Sequence, residues 1–565
     1  MSTDAHYHPT SLKLPRLTGR TLRLAIRLLE NPLTRWLLVR RLLRDGGITR
    51  LREQIVTEIP SFQPYTPYQA SHQETTNASP LLSLAAEPAV DCTGYASIDN
   101  YLQAYRLGAT TPEEVARQVL DAIADSDSRD PPLRAFIACQ PDDVMRQARA
   151  SGQRWRNDNP LSPFDGIPVA VKDEFDQLPY ATTQGTCFLK ETLTGQDATI
   201  VARLRAAGAL LIGKTNMHEF GAGVTGHNPH HGTVRNPYHP SHHTGGSSSG
   251  SAAAVAAGLC PVALGADGGG SIRIPAAFCG VVGLKPTYGR ISNFGATSRG
   301  CSVSQSGPIA ATARDAALTY GLLAGPDFKD WVSLRQPSPT LEGFAERKLN
   351  DITLGIYRPW FEHANSAMVT VCYELLDRLE KRGAKLRNIE IPDLDAGRIG
   401  HIVTIVSEMA SALDPYYSRQ RQHFSLEVRL NLVLGRSLYS RDYVQAQRWR
   451  TRMINHFYQA LQKADVIVTP ATGCTAPLIE PDALEQGMSD LSLLTEIMRF
   501  VVPANFIGFP AITFPAGYDN EGLPVGFHAI GRPWQEHLLL RLAHVAEDLV
   551  ERRISLLHYR LLPEG

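Results

Sequence analysis

Apolar residues recur at i, i+3, i+4 and i+7 as Leu22, Ala25, Ile26 and Leu29, with Arg20, Arg23 and Arg27 on another face. That spacing is the signature of an amphipathic helix. Asn31 and Pro32 supply a cap and a first-turn proline for a second helix. It carries Leu33, Trp36, Leu37, Leu38 and Leu42 between Arg35, Arg40, Arg41 and Arg44. Together they predict a basic helical arm over residues 1–58. Periodicity does not say what covers an apolar face. The arm is therefore expected to meet a membrane, with arginines near anionic headgroups and Trp36 at the boundary, or to pack on the protein's own core or a second subunit. Residues 59–94 turn rich in Pro, Ser, Thr and Gln without periodicity, which predicts a linker or extended arm.

From Thr111 the pattern changes. Thr111, Pro112, Glu113 and Glu114 open a helix with a cap, a first-turn proline and early acids. Strands near Leu133 to Cys139, Ile167 to Val171 and Ala209 to Ile212 then alternate with helices near Asp142 to Trp155 and Ala198 to Ala207. This alternation predicts an α/β core with much parallel sheet. Residues 365–465 read as amphipathic helices, and strands near Asp465 to Pro470, Ala511 to Pro515 and Pro524 to Ile530 return the chain to the sheet. The expected catalytic domain spans 95–565.

Lys+Arg and Asp+Glu are both 56, so no global field points to nucleic acid or a strongly charged partner. Eight scattered cysteines without a CxxC pair read as buried thiols in a reducing compartment. There is no secretory signal pattern, and no uncharged apolar run approaches the ~20 residues of a membrane span. The expectation is an intracellular protein, cytoplasmic or peripheral on a membrane.

Three motifs tempt and fail. Gly208 to Thr215, GALLIGKT, fits the phosphate-loop pattern, but Ala209 to Ile212 is an apolar run that reads as the strand itself. Gly246 to Gly250, GSSSG, fits the serine-hydrolase elbow at Ser248, yet the preceding NPYHPSHHT is a polar, turn-rich loop where the elbow needs a buried strand. His227, His230, His231, His239, His242 and His243 raise a zinc site, but no paired spacing fixes two on one helical face. They read as solvated loop histidines, and neither metal nor cofactor is expected.

Two glycine-serine clusters, Gly245 to Gly250 and Gly268 to Ser271, bracket an Ala-rich helix and a short apolar strand. Glycines let backbone amides approach a ligand. If Ser271 is a nucleophile, Gly268, Gly269 and Gly270 place oxyanion donors beside it. No histidine lies within the local motif. Lys172, ending the strand IPVAVK, is a candidate base if burial favours its neutral amine, although a lysine at a strand end is more often structural. Asp267 and Arg273 read as charges shaping the loop.

The runs GGSSSGSAAAV and GADGGGSIRIPAAFCGVVGLKPTYGR, with GIPVAVKDEFD upstream and GKTNMHEFGAG between, resemble the amidase signature family over about residues 95–540. The resemblance implies an amidase signature fold, with a large twisted mixed sheet flanked by helices on both faces. It also implies a Ser-cisSer-Lys triad of Ser271 as nucleophile, Ser247 as bridge after a cis peptide bond, and Lys172 as base. The N-terminal segment, KTNMHEFGAGVTGHNPHHGTVRNPY and GFHAIGRPW resemble the plant-type fatty acid amide hydrolases. That group implies substrate contact at the Gly221 backbone and N-terminal helices that cover the substrate entrance and meet membrane. The expected activity is hydrolysis of fatty acid amides such as N-acylethanolamines by a homodimer. Alternatives are an amidase for small aryl or alkyl amides, or a non-catalytic scaffold on the same fold. SRGCSVSQSGPIA and the histidine-rich loop depart from the pattern and leave chain length and headgroup open.

Overall fold

The structure is a computed structural model that describes residues 16–64, 66, 94–189, 195–297 and 301–563. Residues 1–15 of the arm, most of the expected linker, Cys92, and Ser298 to Gly300 of the polar stretch lie outside the described residues.

In chain order the strands are β1 (Leu17–Thr18), β2 (Phe136–Ala138), β3 (Pro168–Lys172), β4 (Leu210–Thr215), β5 (Arg235–Asn236), β6 (His239–His243), β7 (Val262–Asp267) and β8 (Val282–Lys285). They continue as β9 (Gln305–Ala310), β10 (Thr353–Ile356), β11 (Lys385–Asn388), β12 (Val466–Pro470), β13 (Met488–Ser489), β14 (Ala511–Tyr518) and β15 (Pro524–Gly531). Eleven form one mixed sheet in the order β11-β10-β12-β15-β14-β8-β9-β7-β3-β4-β2. The returning strands β12, β14 and β15 sit inside it, as their apolar runs predict. Parallel pairing is confined to β11-β10-β12 and β7-β3-β4, so the sheet is less parallel than the alternation of elements suggested. Short connections such as the turn between β14 and β15 can join only antiparallel neighbours.

The period-two alternation of the strands builds two layers. Val466 and Val468 of β12 enter one apolar cluster and Ile467 the other; on β15, Phe527 and Ala529 divide from Ile530 in the same way. One face is covered by helices that include Pro112–Ser128, Ala313–Leu323 and Glu536–Glu547, the other by Leu394–Gln420 and Ser440–Leu461. Helix Pro112–Ser128 starts where its signals place it: Thr111 Oγ accepts from Glu114 N–H, and the Glu114 carboxylate accepts from Thr111 N–H at 2.9 Å. The predicted helical region, residues 365–465, holds helices from Ser366 to Leu461 but is interrupted by β11, a short exposed edge strand with little apolar signal.

The arm forms helices α1 (Gly19–Glu30), α2 (Pro32–Asp45) and α3 (Ile48–Glu53). Leu22, Ile26, Leu29, Val39, Leu43, Ile48 and Leu51 are buried in the second apolar cluster. Glu30 accepts from Arg429 at 2.5 Å and from Tyr417 at 3.0 Å, fastening α1 to the core. One face of the arm thus packs against the rest of the chain. The opposite face leaves Leu33 83% and Trp36 65% exposed, with Leu24 and Leu37 also in solvent.

Candidate active site

β3 runs parallel to both β4 and β7, so the carboxyl ends Lys172, Thr215 and Asp267 emerge along one edge of the sheet. In α/β sheets that edge is where ligands bind. The two glycine-serine clusters meet there. Ser247 follows a cis Gly246–Ser247 peptide bond, and its Oγ lies 2.9 Å from Lys172 Nζ. Ser248 N–H donates to the Ser271 carbonyl at 3.2 Å, drawing the second cluster against the first. Ser247 and Ser271 line the same cavity, of about 290 Å³, together with Gly221, Gly268 and Gly269.

Asp267 holds the turn that carries Ser271. Its carboxylate accepts from the backbone of Gly270 at 2.7 Å and Ile272 at 3.0 Å, and from Arg273 Nε at 3.0 Å. Burial opposes its charge, but the Arg273 guanidinium and the hydrogen bonds donated to it hold the carboxyl well below the usual range. Arg273 donates onward to Asn505 Oδ1 at 2.6 Å and to His528 Nε2 at 2.9 Å. The loop-shaping reading of Asp267 and Arg273 agrees with these bonds.

The same geometry corrects one expectation. The Gly270 N–H is committed to Asp267, so it is not free to face an oxyanion. Gly270 serves the turn instead: its φ is +110°, and a Cβ would lie 2.5 Å from Val501 Cγ2. The Gly268, Gly269 and Ser271 amides have no hydrogen-bond partner among the described residues. Gly221 has φ +69°, and an added Cβ would come within 3.4 Å of Ser247 Oγ. Its own N–H is donated to the His218 carbonyl at 2.9 Å.

Lys172 is fully buried, as its strand predicts, but a carboxylate accompanies it. Glu174 Oε2 lies 2.5 Å from Nζ, and the Ala266 carbonyl lies at 3.4 Å. Glu174 is set by the turn that follows β3, closed by Phe175 N–H to the Lys172 carbonyl at 3.1 Å. It lines the cavity. The acid two residues after the lysine was visible in KDE, but nothing in the sequence said which of the two acids, both buried, would face Lys172. Asp173 instead pairs with Lys214 of β4, at 3.4 Å. β4 is a buried strand through Gly213 and Lys214, so GALLIGKT forms no phosphate loop. Ser248 is buried, bonds to the Ala266 carbonyl at 3.4 Å, and does not line the cavity.

The histidine-rich segment is not a solvated loop. β5 and β6 form a two-stranded ladder in it, and His227, His242 and His243 are buried. His218 Nε2 lies 2.8 Å and His227 Nδ1 3.6 Å from Glu427 Oε2, and His230 Nε2 lies 3.0 Å from Glu219 Oε1. These carboxylates lie about 200 positions downstream or in the preceding turn, so the segment alone could not reveal them. Among the described residues no group of three side chains is placed to hold a metal ion. The cysteine expectation is only partly met: Cys260, Cys279 and Cys372 are buried, whereas Cys187 is exposed.

This cluster carries a pH prediction. Burial disfavours the charged imidazole of His227, but Glu427 outweighs burial and raises its proton affinity above the ordinary value. The stabilisation is thus fully present below about pH 6.5 and is lost as pH rises through the raised value. The melting-temperature deficit of Glu427→Gln should be larger at pH 6 than at pH 9, and a deficit independent of pH would contradict the pairing.

The cavity beside the serines is mainly apolar, walled by Ile402, Ile405, Leu434, Leu494 and Met498, and reaches Leu42 and Ile48 of the arm. A second cavity, with Asp176, Thr182 and Gln196 in its wall, shares Gln184 and Thr297 with the first.

Comparison with known proteins places this arrangement. The Amidase family matches residues 114–540. The fatty acid amide hydrolase of Arabidopsis thaliana is 40% identical over 573 aligned residues, covering 96% of this chain and 94% of that protein. The fatty acid amide hydrolase of Medicago truncatula is 40% identical over 570 aligned residues, again covering 96% of this chain and 94% of that protein. Among solved structures, the native peptide amidase of Stenotrophomonas maltophilia superposes with a TM-score of 0.71 at 28% identity, covering 82% of this chain and 98% of that one. With family, relatives and fold in agreement, the chain belongs to the amidase signature family and is an amidase.

Proposed function

We propose that the protein hydrolyses fatty acid amides, with Ser271 as nucleophile, Ser247 as bridge and Lys172 as base. The observation that carries the lipid part is the apolar cavity, which joins both serines to α2 and α3 of an arm whose outer face exposes Leu24, Leu33, Trp36 and Leu37 beside Arg20, Arg23, Arg27 and Arg40. An amphiphile held at a membrane by its acyl chain suits such a mouth, because apolar burial and attraction to anionic headgroups act together. The similarity to plant fatty acid amide hydrolases along almost the whole chain supports the same reading. The division into arm 1–58, linker 59–94 and catalytic domain 95–565 goes with it.

The Lys172–Ser247 contact and the shared cavity of Ser247 and Ser271 support this chemistry. Ser271 Oγ attacks the amide carbonyl while its proton passes to Ser247 and the Ser247 proton passes to Lys172 as base, whose amine lies between Ser247 Oγ and the Glu174 carboxylate. The Ser247–Lys172 separation of 2.9 Å suits transfer in either direction. Collapse of the tetrahedral intermediate breaks the C–N bond, and the proton returns through Ser247 to the departing amine. Water then cleaves the acyl-enzyme by the same route, releasing the fatty acid.

Acyl-chain profiling tests the substrate class. The value of kcat/KM should rise steeply from short to long acyl chains. Replacing Trp36 and Leu37 by Ser should weaken binding to anionic vesicles while short-chain turnover in solution persists. Indifference to chain length would favour an amidase of small aryl or alkyl amides.

A further inference from the structure

Asp267 clamps one side of the nucleophile turn. On the other side stands His401, fully buried on helix Leu394–Gln420, with its Nε2 2.7 Å from the Gly268 carbonyl oxygen. A carbonyl can only accept, so Nε2 carries a proton and donates it. Burial pushes the imidazole down to about 4, which leaves it neutral near pH 7 with its lone pair on Nδ1.

The bond reaches further than the carbonyl. In a planar trans peptide, the Gly268 C=O and the Gly269 N–H are opposite ends of one rigid unit. Holding the oxygen towards His401 therefore turns the Gly269 N–H the other way. That amide has no hydrogen-bond partner among the described residues, and Gly269 lines the cavity with Ser271. The imidazole also packs directly against the peptide, since a Cβ on Gly269 would lie 3.1 Å from His401 Cε1. With the Gly270 N–H tied to Asp267, the Gly269 N–H is a free donor whose aim this contact sets. We propose that His401 is a positioning residue that, through the Gly268–Gly269 peptide plane, points the Gly269 N–H at the oxyanion formed when Ser271 attacks. The inference rests on Ser271 being the nucleophile.

The test compares His401→Leu with His401→Gln in the full-length enzyme. Glutamine can offer an N–H at about the reach of imidazole Nε2, whereas leucine cannot. His401→Leu should lose about 10²–10³-fold in kcat, the usual cost of one oxyanion donor. Its KM should move less than about threefold, because the donor acts in the transition state. His401→Gln should recover most of the loss. A long-chain acyl trifluoromethyl ketone, whose serine adduct carries an oxyanion, should lose affinity in step with kcat, while the product fatty acid should bind both variants as it binds wild type. Melting temperatures separate these effects from misfolding. Wild-type kcat in a folded His401→Leu, a glutamine variant as slow as the leucine variant, or equal loss of ketone and fatty-acid binding would each overturn the role. Activity surviving in Ser271→Ala would instead overturn the nucleophile assignment, so the two failures are distinct.

Discussion

Replacing Ser271 by alanine is expected to lower amide hydrolysis by at least about 10⁴-fold and to abolish covalent labelling by a fluorophosphonate, with the fold intact. Removing a nucleophile from a triad typically costs this much or more, because its members act as a unit. Ser271 is almost fully buried at the cavity wall, and the small change to alanine leaves its backbone contact with Ser248 in place. Lys172 should cost less, about 10²–10⁴-fold, the range of positioned acid–base groups. Its test needs a second variant, because Lys172→Met strands the Glu174 carboxylate, which lies 2.5 Å from the amine in a buried site. A buried charge without its partner is itself destabilising. Lys172→Met combined with Glu174→Gln removes that complication. Labelling retained in Ser271→Ala and lost in Ser248→Ala would move the nucleophile to the elbow-like serine.

The second large effect is on stability. Asp267→Asn should destabilise the folded protein by about 3–5 kcal/mol, the cost of breaking a buried ion pair from one side. Asp267 and Arg273 are both fully buried, and Asp267 also receives Asn505 Nδ2 at 2.8 Å. An asparagine would turn an amide group towards donors and leave the Arg273 charge uncompensated. Because the folded carboxyl is held below its ordinary value, its contribution is present above about pH 4 and is lost as pH falls through the depressed value. The melting-temperature gap between wild type and variant should therefore be wide at pH 7 and narrow in acid. A gap unchanged in acid would show that the pair contributes through packing alone.

Much of this protein was legible from residue order. The arm's i, i+3, i+4, i+7 stripe became the buried face Leu22, Ile26 and Leu29, and the apolar run in GALLIGKT became β4. Both are local signals, in which a period or a run of side chains is enough to specify the element and its buried face. The paired glycine-serine clusters were equally visible as places where backbone must come close to something.

What the sequence could not supply were relations between distant segments. Glu427 meets His218 and His227 because helix Leu426–Gly435 folds back over the histidine-rich segment. That contact turned a loop read as solvated into a buried one. Gly268, Gly269 and Gly270 look alike in the chain, yet a single hydrogen bond to Asp267 takes the Gly270 amide out of the set of free donors. His401 stands 133 residues from the carbonyl it holds, with no motif to mark it. By itself, then, the sequence determined the longer amphipathic and apolar elements, their buried faces, the two serine clusters and the family resemblance, because each is written in local spacing, whereas short strands such as β11 and β6 carry too little apolar signal to be read. Only the tertiary structure decided which amides are free, which acid accompanies Lys172 and which histidines are buried, because hydrogen-bond partners are chosen by the packing of segments that the chain keeps far apart.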